Sequence, residues 1–201
     1  MNDLEQGEAT EHDGQRYQGL DLAGRDLSGH TFEDCAFSGC NLSGALLARG
    51  KFLDCHFSHS NLSLARVAHS RWRAVVFEDC KLVGVNWTSA AWQRLATAAP
   101  LEFHRCILND SSFLGLSLEE LVLEHCKLRE VDFREANLSR ACLVGSEFGM
   151  SLFNRTNLAG ADFTDATDFD IDVLNNTLKG ARFSRHEAVR LLYGLGIELV
   201  D

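Results

Sequence analysis

A large apolar residue recurs every five positions along most of this 201-residue chain. Stepping by five from Leu22 lands on Leu27, Phe32, Phe37 and so on to Trp87, without exception. A second run starts at Phe103 and reaches Phe183, and Asp168 is its sole charged member. The two runs hold thirty apolar residues in thirty-one positions, where a 45% hydrophobic composition gives about fourteen by chance. Neither the 3.6-residue period of a helix nor the two-residue period of a strand produces this spacing. Two residues before each centre the chain is mostly small, as at Cys35, Ala45, Ser60, Ala136 and Ala161. The residue between is often Asn or Asp, as at Asp21, Asn41, Asn61, Asp132 and Asn157. The unit therefore reads small, polar, Leu/Phe, polar, variable, with the small and large side chains pointing inward.

A second period of twenty overlies the first. Leu22, Leu42, Leu62 and Leu82 are all Leu; Phe37, Phe57 and Phe77 are all Phe; Leu118, Leu138, Leu158 and Leu178 are again all Leu. Like on like every twenty residues implies four units per coil, with coils stacked at the strand spacing of about 4.8 Å.

In these residues the chain resembles the pentapeptide-repeat proteins, which are right-handed quadrilateral β-helices. The resemblance covers residues 20–183. It leaves a polar segment at 1–19, a break near 93–100, and a C-terminal helix and dimerisation tail at 184–201. The stretches 80–92 and 105–113, with the tail Gly196-Ile197-Glu198-Leu199, are similar to the AlbG and McbG branch. With the Qnr and MfpA types, that branch binds bacterial DNA gyrase and protects it from topoisomerase poisons. The resemblance thus implies a cytoplasmic partial DNA mimic that confers antibiotic resistance or self-immunity, with topoisomerase IV open as a second target. It also implies a head-to-head homodimer joined through the C-terminal region. The alternative is a non-enzymatic scaffold of the same fold with another protein partner.

Three local features modify the repeat. The step from Trp87 to Phe103 is sixteen, which reads as a one-residue slip with a short loop or kink at 93–100 and a restart at Pro100. Burying the Asp168 carboxylate unpaired costs several kcal/mol, so a one-residue bulge that turns Phe169 inward and Asp168 outward is expected. Ser184 and Glu187 read as a capping box ahead of Ala188, Leu191, Leu192 and Leu195 at helical spacing, with Gly194 or Gly196 as the stop. Leu191, Leu192, Ile197 and Leu199 are expected to cap the last coil and join two chains.

The net charge is −10, and residues 101–201 carry −7 of it. The densest run is Asp162, Asp165, Asp168, Asp170 and Asp172. Of these, Asp162, Asp165, Asp170 and Asp172 are the expected partner-binding residues. The acidity argues against nucleic acid as the direct partner. No apolar run reaches the roughly 18 residues of a membrane span, and residues 1–19 lack the pattern of a secretory signal. Six of the seven Cys (Cys35, Cys40, Cys55, Cys80, Cys106, Cys126) fall in the small inward slot and Cys142 faces outward, so packed free thiols in a reduced compartment are expected. The eight His are scattered, mostly at outward positions, and His56 with His59 has no third ligand to make a metal site. No P-loop, nucleophile elbow, dinucleotide fingerprint or zinc-peptidase motif is present. No catalytic residue, cofactor, metal or small-molecule substrate is therefore expected.

Overall fold

The computed structural model describes Leu4, residues 10–92 and residues 101–197. In it the chain winds as a four-sided β-solenoid of about eight turns. One side is the parallel sheet of β1 (Glu11–Asp13), β3 (Thr31–Glu33), β5 (Lys51–Leu53) and β7 (Arg71–Arg73). The next side is β2 (Arg16–Gln18), β4 (Ala36–Ser38), β6 (His56–Ser58), β8 (Val75–Glu78), β9 (Leu101–His104) and β10 (Val122–Glu124). The pair β11 (Asp162–Phe163) and β12 (Arg182–Phe183) extends that side toward the C-terminus. Elsewhere single bridges carry the ladder, among them Asn41↔Asn61, Leu46↔Arg66 and Ser112↔Asp132. Every register before the break is twenty residues, as in Phe32↔Phe52 and Phe37↔Phe57.

The variable fifth residue of the unit is the corner. It takes a left-handed conformation coil after coil, at Asp34, Arg49, Asp54, His59 and Leu64 among others. Such a conformation costs a non-glycine residue roughly 1–2 kcal/mol. Among the described residues, none of the non-glycine residues with positive φ is Val, Ile or Thr, whose branched Cβ tolerates it least. The Asn or Asp before each centre supports the bend. Its side chain accepts a hydrogen bond from the backbone N–H two residues on, as Asn41 does from Ser43, Asn61 from Ser63, and Asn157 from Ala159.

Inside, the centres stack in ladders. Phe37, Phe57 and Phe77 are fully buried, with ring centroids 4.6 and 5.0 Å apart. Leu118, Leu138 and Leu158 are equally buried, while Leu178 in the last coil is half-covered. The small-slot thiols donate to carbonyls of the preceding coil: Cys55 to Phe32, Cys80 to Phe57, Cys126 to Phe103. Trp87 Nε1 is buried without a hydrogen-bond partner, and the Trp72 ring lies edge-on to it at 5.4 Å.

Three expectations change. The solenoid starts before residue 20: β1 and β2 pair with β3 and β4, and His12 and Tyr17 fill inward slots. The segment reads as polar because one of those two residues is a histidine. The break is not a one-residue slip. Pairing across it has a step of twenty-six, as in Val76↔Glu102, Lys81↔Ile107 and Asn86↔Ser112, so six residues are inserted and the frame is kept. The coil runs on at least to Ala91, whose N–H meets the Ser70 carbonyl; residues 93–100 lie outside the described residues. Most histidines face outward as expected, and His12 and His30 are the buried ones. Finally, the capping box does not form. The Ser184 hydroxyl bonds Asp165, and Glu187 bonds Arg190 instead. A 3₁₀ turn (Glu187–Val189) runs directly into the one-turn helix α1 (Arg190–Tyr193). The bulge at Asp168 is as expected: Phe169 is buried against Phe163 and Phe183, and Asp168 faces out.

Candidate interaction surface

Corner geometry decides where the acidic run points. Asp162 lies on the β11 side and Asp165 at the following corner. Asp168 and Asp170 flank the inward Phe169 on the third side, and Asp172 lies beyond the next inward residue, Ile171. The run therefore wraps around the last coils, and its carboxylates do not gather into one patch.

Most of these acids also have structural duties. Asp162 pairs with Arg182 at 3.1 Å and accepts from the Thr164 N–H at 3.0 Å. Burial works against its charge, but the Thr164 bonds and Arg182 hold its carboxyl below the usual range. Asp165 is bonded by Ser184. Asp168 meets Arg190 at 3.0 Å and so ties α1 to the last coil. Asp172 accepts from the Leu174 N–H at 2.8 Å, and that bond leads in holding its pKa down. Asp170 is exposed.

A denser row of charge lies mid-rod, on the side formed by β6, β8, β9 and β10. His104 sits between Glu124, at 3.0 Å, and Glu102, at 3.4 Å. Below it Arg105 bonds both Glu78 and Asp79, and holds the Asp79 carboxyl below its ordinary range. His56 approaches Glu78 at 3.6 Å and His59 approaches Asp79 at 3.9 Å. Apart from Glu102 and His104, the paired residues are twenty to twenty-seven apart in sequence, which is why the linear run at 162–172 was the more visible signal. Among the described residues no group of three or more His, Cys, Asp or Glu is placed to hold a metal ion. Bases concentrate elsewhere: Arg49, Lys51, Arg66 and Arg71 are exposed within two successive coils, and none has a carboxylate within ion-pair distance among the described residues.

The C-terminal end is apolar. Leu174 is 77% exposed and Tyr193 61%, and Val189, Leu195 and Ile197 stand out beside them. The helix packs on the last coil, with Gly194 against the Asp172 backbone. Of the residues expected to cap and dimerise, Leu191 packs on the core, Leu192 is half-buried and Ile197 is exposed; Leu199 lies outside the described residues. Leu174 and Tyr193 were not foreseen, although an apolar residue in the normally polar slot after a centre marks Leu174.

Among the described residues the interior of the rod is filled, so its outer sides and its C-terminal end are the surfaces open to contact. The chain belongs to the pentapeptide-repeat family, whose model for the pentapeptide repeat region matches residues 30–98 and 97–163. Three structures of QnrB1, a plasmid-mediated fluoroquinolone resistance protein, are similar in fold. One trypsin-treated variant is 20% identical, with a TM-score of 0.64, over 94% of this chain and 100% of that one. A second is 24% identical, with a TM-score of 0.58, over 95% and 92%. Full-length QnrB1 is 21% identical, with a TM-score of 0.57, over 93% and 100%. No curated protein sequence matches the chain.

Proposed function

We propose that the chain binds bacterial DNA gyrase as a partial DNA mimic and shields it from topoisomerase poisons. It acts without catalysis, in the cytoplasm and as a homodimer joined at its C-terminal ends, and topoisomerase IV is the natural second target to assay. The observation that carries this reading is the four-sided rod, whose fold matches full-length QnrB1 over 93% of this chain and 100% of that one. About eight turns at the strand spacing give roughly 40 Å, and a dimer roughly 80 Å. Two chains at −10 put about one net charge on every 4 Å of that rod, against one per about 1.7 Å in duplex DNA. The likeness in charge is partial, so shape and local carboxylates must supply the rest. The two placements available are Asp162, Asp165, Asp170 and Asp172 around the C-terminal coils, and Glu78, Glu102 and Glu124 at mid-rod.

The second reading, a scaffold for another protein partner, draws support from how many acids are already paired with Arg105, Arg140, Arg155, Arg182 and Arg190. Supercoiling and cleavage assays on purified gyrase, with and without a fluoroquinolone, separate the two readings. Rescue of supercoiling and fewer poison-stabilised breaks are expected. No effect on either favours the scaffold. Asp170→Asn and Glu102→Gln/Glu124→Gln, each confirmed folded, then report which carboxylates the enzyme reads.

A further inference from the structure

The rod is not laced evenly on all four sides. On the side that carries the centres Leu47, Val67 and Trp87, single bridges pair Asp26 with Leu46, Leu46 with Arg66, Asn86 with Ser112 and Ser112 with Asp132. Among the described residues none joins Arg66 to Asn86. The backbone bonds that belong to that step are missing too. Leu47 N–H donates to the Arg66 carbonyl and Trp87 N–H to the Ser112 carbonyl, but Val67 N–H has no such bond to Asn86. Arg66 N–H donates to the Ala45 carbonyl, but Asn86 N–H has none to Ala65. The cause is local. The Asn86 side chain accepts from the Thr88 N–H at 3.1 Å and caps a 3₁₀ turn over Trp87–Ser89, where a strand would otherwise continue. A groove of about 220 Å³ lies at this gap, with Leu64, Ala65, Arg66, Val67, Gly84 and Asn86 in its walls.

Two kinds of chemistry meet there. The walls are largely apolar, and Leu64 at the corner is 65% exposed, with its side chain over Gly84. The other large apolar residues that stand exposed among the described ones, Leu114 to Ile197, all follow the break. A left-handed corner favours Gly or Asn, so the backbone gives no reason for a Leu at this place. Around the groove the charge is positive. Arg66 lines it, the Arg49 N–H holds the Ala68 carbonyl beside it, and Lys51 pairs in register with Arg71 on the adjoining side. All four are exposed, and none has an ion pair among the described residues. The carboxylates nearby are engaged or distant: Asp54 is held by Arg73 at 2.6 Å, Glu33 acts on Arg73 too, and Asp26 feels Arg49 without an ion pair to it. After the break the pattern reverses, and Arg129, Arg134, Arg140, Arg155, Arg182 and Arg190 all hold carboxylates.

We propose that this groove docks an extended acidic segment of a protein partner: one apolar side chain enters the groove, and the carboxylates flanking it take Arg49, Lys51, Arg66 and Arg71. Size decides the first part. A pocket for a whole small ligand runs to about 300–1,000 Å³, and 220 Å³ suits a single side chain. The mixture of walls and rim decides the second. A phosphodiester backbone would satisfy the four cations but brings no apolar group to cover Leu64, Ala65 and Val67, so a nucleic acid would use only half of the site. Arg presents a planar fork that takes a carboxylate through two N–H donors, and its charge persists at any physiological pH. An extended segment also brings backbone carbonyls toward Val67 N–H and Asn86 N–H, the two donors that the broken ladder leaves without their usual partners. This site has the opposite sign to the carboxylate surfaces considered above for gyrase, so it stands or falls independently of that reading.

A blocked peptide with one leucine between two runs of glutamate is the probe, titrated into the full chain at low salt and followed through the backbone amides by NMR. Shifts are expected at Leu64, Arg66, Val67, Gly84 and Asn86, and not at Glu102 or Glu124 on another side of the rod. Replacing the leucine of the peptide by serine should weaken binding about tenfold, the worth of burying much of one Leu side chain. Arg49→Gln/Arg66→Gln should weaken it about fivefold, as two exposed ion pairs are lost, and added salt should act in the same direction. Leu64→Asn suits the left-handed corner, so the fold is kept; it should weaken the leucine peptide and leave the serine peptide unchanged. Absence of shifts at millimolar peptide overturns the proposal. Equal affinity for the leucine and serine peptides overturns it too, because the cations alone would then be reading the charge. A duplex oligonucleotide that shifts the same amides at lower concentration than the peptide would overturn it in favour of a nucleic acid.

Discussion

Phe77 and Phe103 stack as ladder neighbours, 5.0 Å apart and within 8° of parallel, although twenty-six residues separate them. Phe57 and Phe77, twenty residues apart, stack at the same distance. The step across the break is six residues longer, yet the coil frame on its two sides stays in line. Removing residues 94–99 brings Phe103 to five positions after Trp92 and restores the step of twenty. That variant should fold with a melting temperature within a few degrees of the parent. Removing only 95–99 leaves one residue too many, and each side chain after it is displaced by one slot. Thermal melts of the two deletions check this: the shorter deletion must be the more damaging one.

Within the ladder, Phe57 is fully buried between Phe37 and Phe77. Phe57→Ala should cost about 3–5 kcal/mol, since neighbours fixed by coil geometry cannot collapse into the gap. Trp87→Phe is the informative contrast. It keeps a ring in the slot and removes a buried N–H that has no partner, so stability should be unchanged or higher. Denaturant melts of both variants measure the difference.

The inward ladders could be read from sequence because one apolar residue in five is dictated by the coil and little competes with it. Phe37, Phe57 and Phe77, and Phe169 beside an outward Asp168, follow from that alone. Features set by corners or by neighbouring coils were not legible. Residues such as Leu64 and Ala74 look arbitrary until their left-handed backbone is seen. His104 and Glu124 meet only because coils stack, whereas Asp162 and Asp172, the two ends of one short run, lie on different sides. Asp at those two places, like Asn41 and Asn157, answers a backbone N–H two residues on, and its charge is incidental to that duty. The Ser184–Glu187 spacing fits a capping box, but Asp165 one coil earlier takes the serine hydroxyl.

The thiols give a chemical check on burial. All seven cysteines are free, six are buried and Cys142 is half-exposed. Burial pushes the Cys55 thiol up to about 12, and hydrogen bonding with Cys126, with burial, pushes Cys106 up to about 12 as well. Cys80 is raised too, by its bond with Cys106 and by burial. Thiolate is the reactive form, so at pH 8 a thiol reagent should modify one site per native chain, Cys142. All seven should react in denaturant. Mass spectrometry of the alkylated protein counts them, and native modification of Cys80 or Cys106 would contradict the packing.

A corner can be tested without touching the core. Gly39 has a φ of +63, and a Cβ built there meets nothing within 4 Å. Any loss on substitution then reports backbone strain alone. Gly39→Asp should cost about 1 kcal/mol, and Gly39→Val clearly more, because a branched Cβ suits the left-handed region worst. Comparison of their unfolding midpoints decides whether the corner conformation or the side-chain type sets the fifth position of the repeat.

At the C-terminal end, the cap and the proposed dimer seam fall on different residues. Leu191 packs against the core cluster, so it closes the last coil. Tyr193 and Ile197 are exposed at 61% and 45%, beside Leu174 at 77%, and exposed apolar groups massed at a solenoid end are the kind of surface a second chain covers. Tyr193→Asp/Ile197→Asp should therefore convert a dimer to a monomer while leaving the melting temperature of the coils nearly unchanged. Leu191→Asp should lower that temperature, because it places a carboxylate against the core cluster. Deleting residues 184–201 removes both functions and exposes strand edges with the core, so monomer or aggregate is expected. Light scattering with thermal melts distinguishes these cases. If the Tyr193/Ile197 variant remains a clean dimer, the seam lies on one of the four sides of the rod and the C-terminal helix serves only as a lid.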